Sequence, residues 1–239
     1  MTTANTLIPS ERFRGPHIGI VAAVFVGLFL ASLFPVTAFG GMPYFPGPAA
    51  SVAQMTAFFS QRQNAVLLCA FLQFGSVIPL GIFTASIVSQ LRFQRVRAAG
   101  TSIALFGGIL TAANIMATAC FLWAMTYREV FRDPAITQAI YRVSFGLGGP
   151  GFSVPFGVLI AGVSITAGFH RLLPRWIVVM GIVIAIIGEL SWFEILNIKL
   201  LPLIPLTRFP GFIWMIAAGF TLPRRRKINR TVGAALNAA

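Results

Sequence analysis

Acidic residues are scarce in this chain: five Asp and Glu stand against eighteen Lys and Arg in 239 residues, a net charge of +13. So few carboxylates leave little material for an acid-lined cation site or a paired-carboxylate reaction centre. Histidine occurs twice, as His17 and His170 at the ends of apolar runs. That position excludes a mid-membrane haem pair and leaves the many Ser and Thr without a buried base to activate them. Two cysteines, Cys69 and Cys120, make neither a disulfide framework nor a zinc set and read as small buried apolar side chains. No H-E-x-x-H and no G-x-x-x-x-G-K occurs. Charged residues make up only 10% of the chain, too little to cover a water-soluble globule of this size. These absences point to no metal and no cofactor, and away from an enzyme without deciding it.

What the chain has in excess is apolar length. Hydrophobic residues are 57% and mean hydropathy is +0.85. Apolar runs fall at about 17–39, 64–91, 100–126, 147–169, 176–198 and 203–222. A hydrocarbon layer of about 30 Å needs roughly 20 helical residues, so each run is long enough or nearly so. The expected fold class is therefore all-α, a six-helix transmembrane bundle. The fourth run is interrupted near its start by Gly148-Gly149-Pro150-Gly151, and the sixth carries Pro205, Arg208 and Pro210. Proline there requires that neighbours satisfy the carbonyls it frees. No linker or low-complexity tract divides the chain, so 1–239 reads as one domain with a basic tail at 223–239.

The basic residues sort between alternate connections. Arg12 and Arg14, then Arg92, Arg95 and Arg97, then Arg171 and Arg175, then Arg224, Arg225, Arg226, Lys227 and Arg230 fall on one side. Arg62, Arg128, Arg132, Arg142, Lys199 and Arg208 fall on the other. Since Lys and Arg are retained in cytoplasmic loops, both termini are expected in the cytoplasm. The dispersed positive charge reads as this topology signal and as attraction to anionic lipid headgroups, through Arg224, Arg225, Arg226 and Lys227 above all, and not as a nucleic-acid surface. A rival reading takes the first run as a signal peptide cleaved after Val36-Thr37-Ala38, but that run exceeds the 7–15 apolar residues typical of such segments.

Two non-spanning segments on the outer side have amphipathic patterns. Ser51-Val52-Ala53-Gln54 fits a capping box opening a helix over 51–63 with Met55, Phe58 and Phe59 on one side. The segment 134–145 sets Ile136, Ile140 and Val143 apart from Gln138, Tyr141 and Arg142. Both are expected to lie on the membrane surface, as loop tethers or as a lid. Helix packing is expected along small-residue stripes: Gly19, Ala23, Gly27 and Ala31; Ala104, Gly108 and Ala112; Gly157 and Ala161.

Glu189 and Glu194, in or near the fifth run, are the carboxylates that membrane burial makes costly. Arg208, Arg142, Asn114 and Gln73 fall at similar depth. The spacing suggests an outward polar cavity in which Glu189 meets Arg208, with Trp192 and Tyr141 at its rim. The alternative is that Glu189 only fixes helix register while Glu194 and Arg208 reach the headgroups.

The Pro-rich outer loop leading into 51–59, Leu91-Arg92, Arg132-Asp133-Pro134-Ala135, Leu173-Pro174-Arg175-Trp176 and a final run closing with arginines together resemble a broad group of bacterial integral-membrane proteins, a domain family of unknown function. The resemblance implies a bacterial inner-membrane location and no mechanism. Two functional readings remain. One is a non-catalytic accessory, assembly or interaction component whose partners are lipids, another membrane protein or a second copy. The other is a small transporter or a solute- or lipid-binding protein using the region of Glu189.

Overall fold

The computed structural model describes residues 10–227; Arg230 and the rest of the tail beyond 227 lie outside the described residues. A short strand, β1 (Ser10–Arg12), precedes α1 (Ile18–Leu33), which runs on as a 3-10 turn at Phe34–Val36. Then follow α2 (Val52–Gln61), α3 (Gln63–Phe93), α4 (Ala99–Ala124), α5 (Arg128–Phe131), α6 (Pro134–Gly148) and α7 (Pro150–Phe169). After these come α8 (Arg175–Leu190), 3-10 turns at Ser191–Ile195 and Ile198–Leu200, α9 (Leu203–Thr221) and β2 (Arg225–Lys227), antiparallel to β1. Among the described residues six helical runs are long and apolar enough to cross a membrane, those of α1, α3, α4, α6–α7, α8 and α9. The chain is thus an all-α transmembrane bundle, a multi-pass membrane protein. The end carrying the β1–β2 ribbon is called proximal below, and the opposite end distal.

Each spanning helix packs on the spanning helix next to it in sequence, and α9 returns to α1, closing a ring of six. Glycines set the crossings. A Cβ on Gly162 of α7 would lie 2.7 Å from the Gly100 carbonyl and the Ala104 amide of α4; one on Gly188 of α8, 2.9 Å from the Ser153 carbonyl of α7. One on Gly219 of α9 would lie 2.7 Å from the Gly19 amide of α1. In lipid, where apolar burial gives helices no reason to associate, such close backbone approach and the dispersion it allows replace the hydrophobic drive.

The expected stripe on α1 divides. Gly19 is buried, but Ala23, Gly27 and Ala31 face outward, and nothing lies within 4 Å of a Cβ on Gly27. Phe25 and Phe29, the bulky residues offset from that stripe, turn inward instead and pack edge-on against Phe212 of α9. A small-residue stripe is a groove only where a partner enters it. Here the aromatic face found one.

The capping box at Ser51 and Gln54 forms as expected. The apolar side of α2 does not lie on lipid, however: Met55, Phe58 and Phe59 are 0–1% exposed and pack on Val66, Cys69, Tyr141 and neighbours. The α6 helix runs three residues beyond the expected segment, to Gly148, and buries Thr137, Tyr141 and Ser144. Together α2, α5 and α6 roof the distal end over a second core, separate from the main core of the bundle. Tyr141 joins its parts, its hydroxyl donating to the Pro46 carbonyl at 2.6 Å and its ring meeting Phe45 and Phe59. Arg62, at the junction of α2 and α3, donates to the carbonyls of Pro35 (2.8 Å) and Gly40 and ties the roof to the end of α1.

Candidate functional site

A cavity of about 250 Å³ lies between the two cores in the distal half of the bundle. The walls come from α1, α3, α4, α6, α7 and α9; among the spanning helices only α8 contributes nothing. Phe29, Ile115 and Phe152 bring the main core to its surface, and Val36, Cys69 and Leu122 bring the roof core. The polar lining is Thr37, Gln73, Thr118, Ser144 and Arg208, with the backbone of Gly148 and Gly149.

The break between α6 and α7 is what puts backbone here. Gly149 (φ −88°, ψ −104°) departs from helix geometry, and Pro150 has no amide hydrogen to offer the preceding turn. The Phe152 amide bonds Gly149 at 3.1 Å and not Gly148, so the Gly148 carbonyl has no donor within the helix. The Arg208 guanidinium supplies one through Nη2. Its carbon sits 4.7 Å from the centroid of the Phe152 ring and 5.4 Å from that of Phe29, a double cation–π contact. The Arg208 Nε is buried and has no hydrogen-bond partner among the described residues. Five residues separate Arg208 from the first residue of α9, about 8 Å at 1.5 Å per residue, which sets the charge well inside the distal half.

A similar repair stands at the neighbouring wall. Pro155 lies inside α7 and cannot donate to Gly151, four residues earlier; Asn114 of α4 donates its Nδ2 hydrogen to that carbonyl. Asn114 therefore serves the backbone rather than the cavity.

Of the residues picked out from sequence, Arg208 and Gln73 line the cavity. Tyr141 lies buried in the roof, close by but not on the wall. Arg142 is exposed on α6, and Trp192 is exposed beyond the end of α8, where its ring rests on Phe193 with centroids 4.5 Å apart. Glu189 does not meet Arg208: it is exposed, with its Oε1 beside Gly157 at the α7–α8 seam, and the one ion pair among the described residues joins Arg226 to Glu11 at 3.0 Å. The expected pairing took the carboxylate's depth as a guide to its direction. Depth sets only the level along the helix, whereas α8 turns Gly181, Ile184, Ala185 and Gly188 inward and leaves Glu189 outside. Glu194 is 8% exposed, because α8 ends at Leu190 and tightens into a 3-10 turn packed on α7, changing the azimuth that a regular helix would give it. Neither carboxylate touches the cavity.

Cys69 is buried on the cavity wall and accepts from Gln73 Nε2 at 3.6 Å, whereas Cys120 is exposed on the outer face of α4; both are free thiols. Sequence reading missed Thr118, Ser144 and the two phenyl rings. The Thr118 hydroxyl bonds back to the Asn114 carbonyl at 2.8 Å, and that i, i+4 pairing was a usable signal. Nothing in the sequence pattern marked Phe29 or Phe152 among 23 phenylalanines. Arg224, Arg225 and Arg226 gather at the proximal end: Arg224 Nη2 donates to the Gly15 carbonyl at 2.8 Å and Arg226 Nη1 to the Phe93 carbonyl at 3.1 Å, which leaves Arg225 the most exposed. Lys227 closes the ribbon against Ser10.

Comparison with protein-family models, with curated proteins and with solved structures gave no match to this chain.

Proposed function

We propose that this chain is a non-catalytic binding protein of the bacterial inner membrane that holds a small amphiphilic ligand, solute or lipid, in the distal cavity. The supporting observation is the cavity itself: a partly open space between two hydrophobic cores, with a few polar groups set in a mainly apolar lining. In this reading both termini are cytoplasmic and the distal roof faces the outside. The proximal end carries Arg12, Arg14, Arg92, Arg95, Arg97, Arg171 and Arg175 beside the arginines after α9, which supports retention on the cytoplasmic side and contact with anionic headgroups. Native mass spectrometry of the full chain released from membrane nanodiscs tests the cavity. A bound small amphiphile is expected on the unaltered protein and is lost in Cys69→Phe, which fills the wall; a ligand mass retained unchanged by that variant rejects the site.

A second reading, an interaction component that docks on another membrane protein, is favoured by one observation. Glu189 is exposed at the α7–α8 seam beside exposed Ile182, Val183 and Ile186 of α8, an uncommon place for a carboxylate unless a partner helix covers it. Glu189→Leu is expected to abolish copurification of such a partner without changing ligand retention.

A further inference from the structure

We propose that the distal cavity recognises the head of an anionic single-chain amphiphile, a carboxylate or phosphate group on an apolar tail, with Arg208 as its counter-charge; this rests on the cavity being the ligand site. Among the described residues Arg208 is the single charged side chain on the cavity wall, and no carboxylate lies there. A guanidinium has five N–H donors in a rigid fork, and one protein acceptor, the Gly148 carbonyl, takes up Nη2. The two phenyl rings hold its plane without taking any N–H, and the buried Nε is unpartnered among the described residues. A cation at this depth in a bundle costs several kcal/mol unless paired, and cation–π contacts of about 0.5–2 kcal/mol with one hydrogen bond to a neutral carbonyl offset only part of that. The arrangement is a preorientated, under-satisfied donor fork facing a space, which is what an oxyanion completes.

The C-terminal turn of α6 and the first turn of α7 meet at the cavity, with Ser144, Gly148, Gly149 and Phe152 on its wall, so their opposed dipole ends offset one another and Arg208 supplies the charge there. Gln73 and Ser144 are neutral and able to donate. The size limits the ligand. At about 250 Å³ the space is smaller than the roughly 300–1,000 Å³ of drug-sized sites, which admits a head with the first part of one chain and not a two-chain phospholipid. Leu33 and Val36 on one side, with Leu201 and Pro205 on the other, form an apolar wall that reaches the bundle surface at exposed Pro205, a route for the tail.

The test uses the full chain in phosphatidylcholine nanodiscs, with dissociation constants from thermal-unfolding titrations at pH 8. The probes are decanoate, decyl phosphate and decanol, with acetate and inorganic phosphate as heads without tails. Decanoate or decyl phosphate is expected to bind at least about tenfold more tightly than decanol, and acetate and phosphate more weakly than either. Arg208→Gln is expected to bring the charged probes level with decanol. Equal affinity for decanol and the charged probes on the unaltered protein overturns the anion assignment, even where Arg208→Gln does not fold. Protection by acetate or inorganic phosphate as strong as that by the decyl forms assigns the site to a free anion and overturns the amphiphile. The cavity reading fails separately: binding of every decyl probe would then be indifferent to Cys69→Phe.

Discussion

At the residue scale, two arginines hold backbone conformations that glycine usually takes. Arg95 and Arg171 sit at φ +62° and +52°, each just past the end of a proximal helix end. In both turns the next residue reaches back five positions, Val96 to the Leu91 carbonyl at 3.2 Å and Leu172 to the Ala167 carbonyl at 2.8 Å, the helix-ending pattern that normally recruits glycine. A side chain in this region costs about 1 kcal/mol. Arg171→Gly should therefore raise the thermal midpoint in detergent, by an amount corresponding to about 0.5–1 kcal/mol. A lowered midpoint would show that the side chain makes contacts outweighing the backbone cost. Tyr141 gives the opposite sign. Tyr141→Phe leaves the Pro46 carbonyl without its donor under the roof and should cost about 1–2 kcal/mol, read as loss of thermal stability.

At the element scale, the helices are held where side chains repair what proline and glycine remove. Asn114→Leu should destabilise the α4–α7 pair by about 1–3 kcal/mol, since it strands the Gly151 carbonyl. The double variant Asn114→Leu with Pro155→Ala restores an amide donor within α7 and should recover part of the loss. Equal stability of the single and double variants would show that proline and asparagine act independently. The crossings make a second contrast. Gly162→Leu drives a side chain into the backbone of α4 and should abolish a folded bundle, whereas Gly27→Leu projects into open space and should be tolerated, with protease resistance as the readout for both. The existence and approximate ends of the six spans were legible because a long apolar run has one solution in a bilayer. The inward face of α1 was not, since period and residue size mark candidate faces equally and only the neighbour selects one. The cavity was half legible: Arg208 and Gln73 stood out as polar residues in apolar runs, while the rings that hold Arg208 were ordinary phenylalanines until brought together.

At the scale of the whole molecule, most of the positive charge gathers at the proximal end while Arg208 lies on the wall of the distal cavity. The proposed orientation has a direct check in cells. Single cysteines replacing Arg95 should resist a membrane-impermeant maleimide, and those replacing Glu129 should react; the reverse pattern would turn the bundle over. The sequence by itself determined that this chain lives in a membrane, how many times it is able to cross, and which connections carry the positive charge, because hydropathy and loop charge are sums over residues and need no knowledge of contacts. Only the tertiary structure decided that Arg208 turns onto the cavity and Glu189 does not, that α2 buries its apolar side in a roof shared with α6, and that a space remains beneath it. Direction around a helix axis depends on where the glycine crossings set each neighbour, and that is a property of pairs of helices which no single run of residues contains.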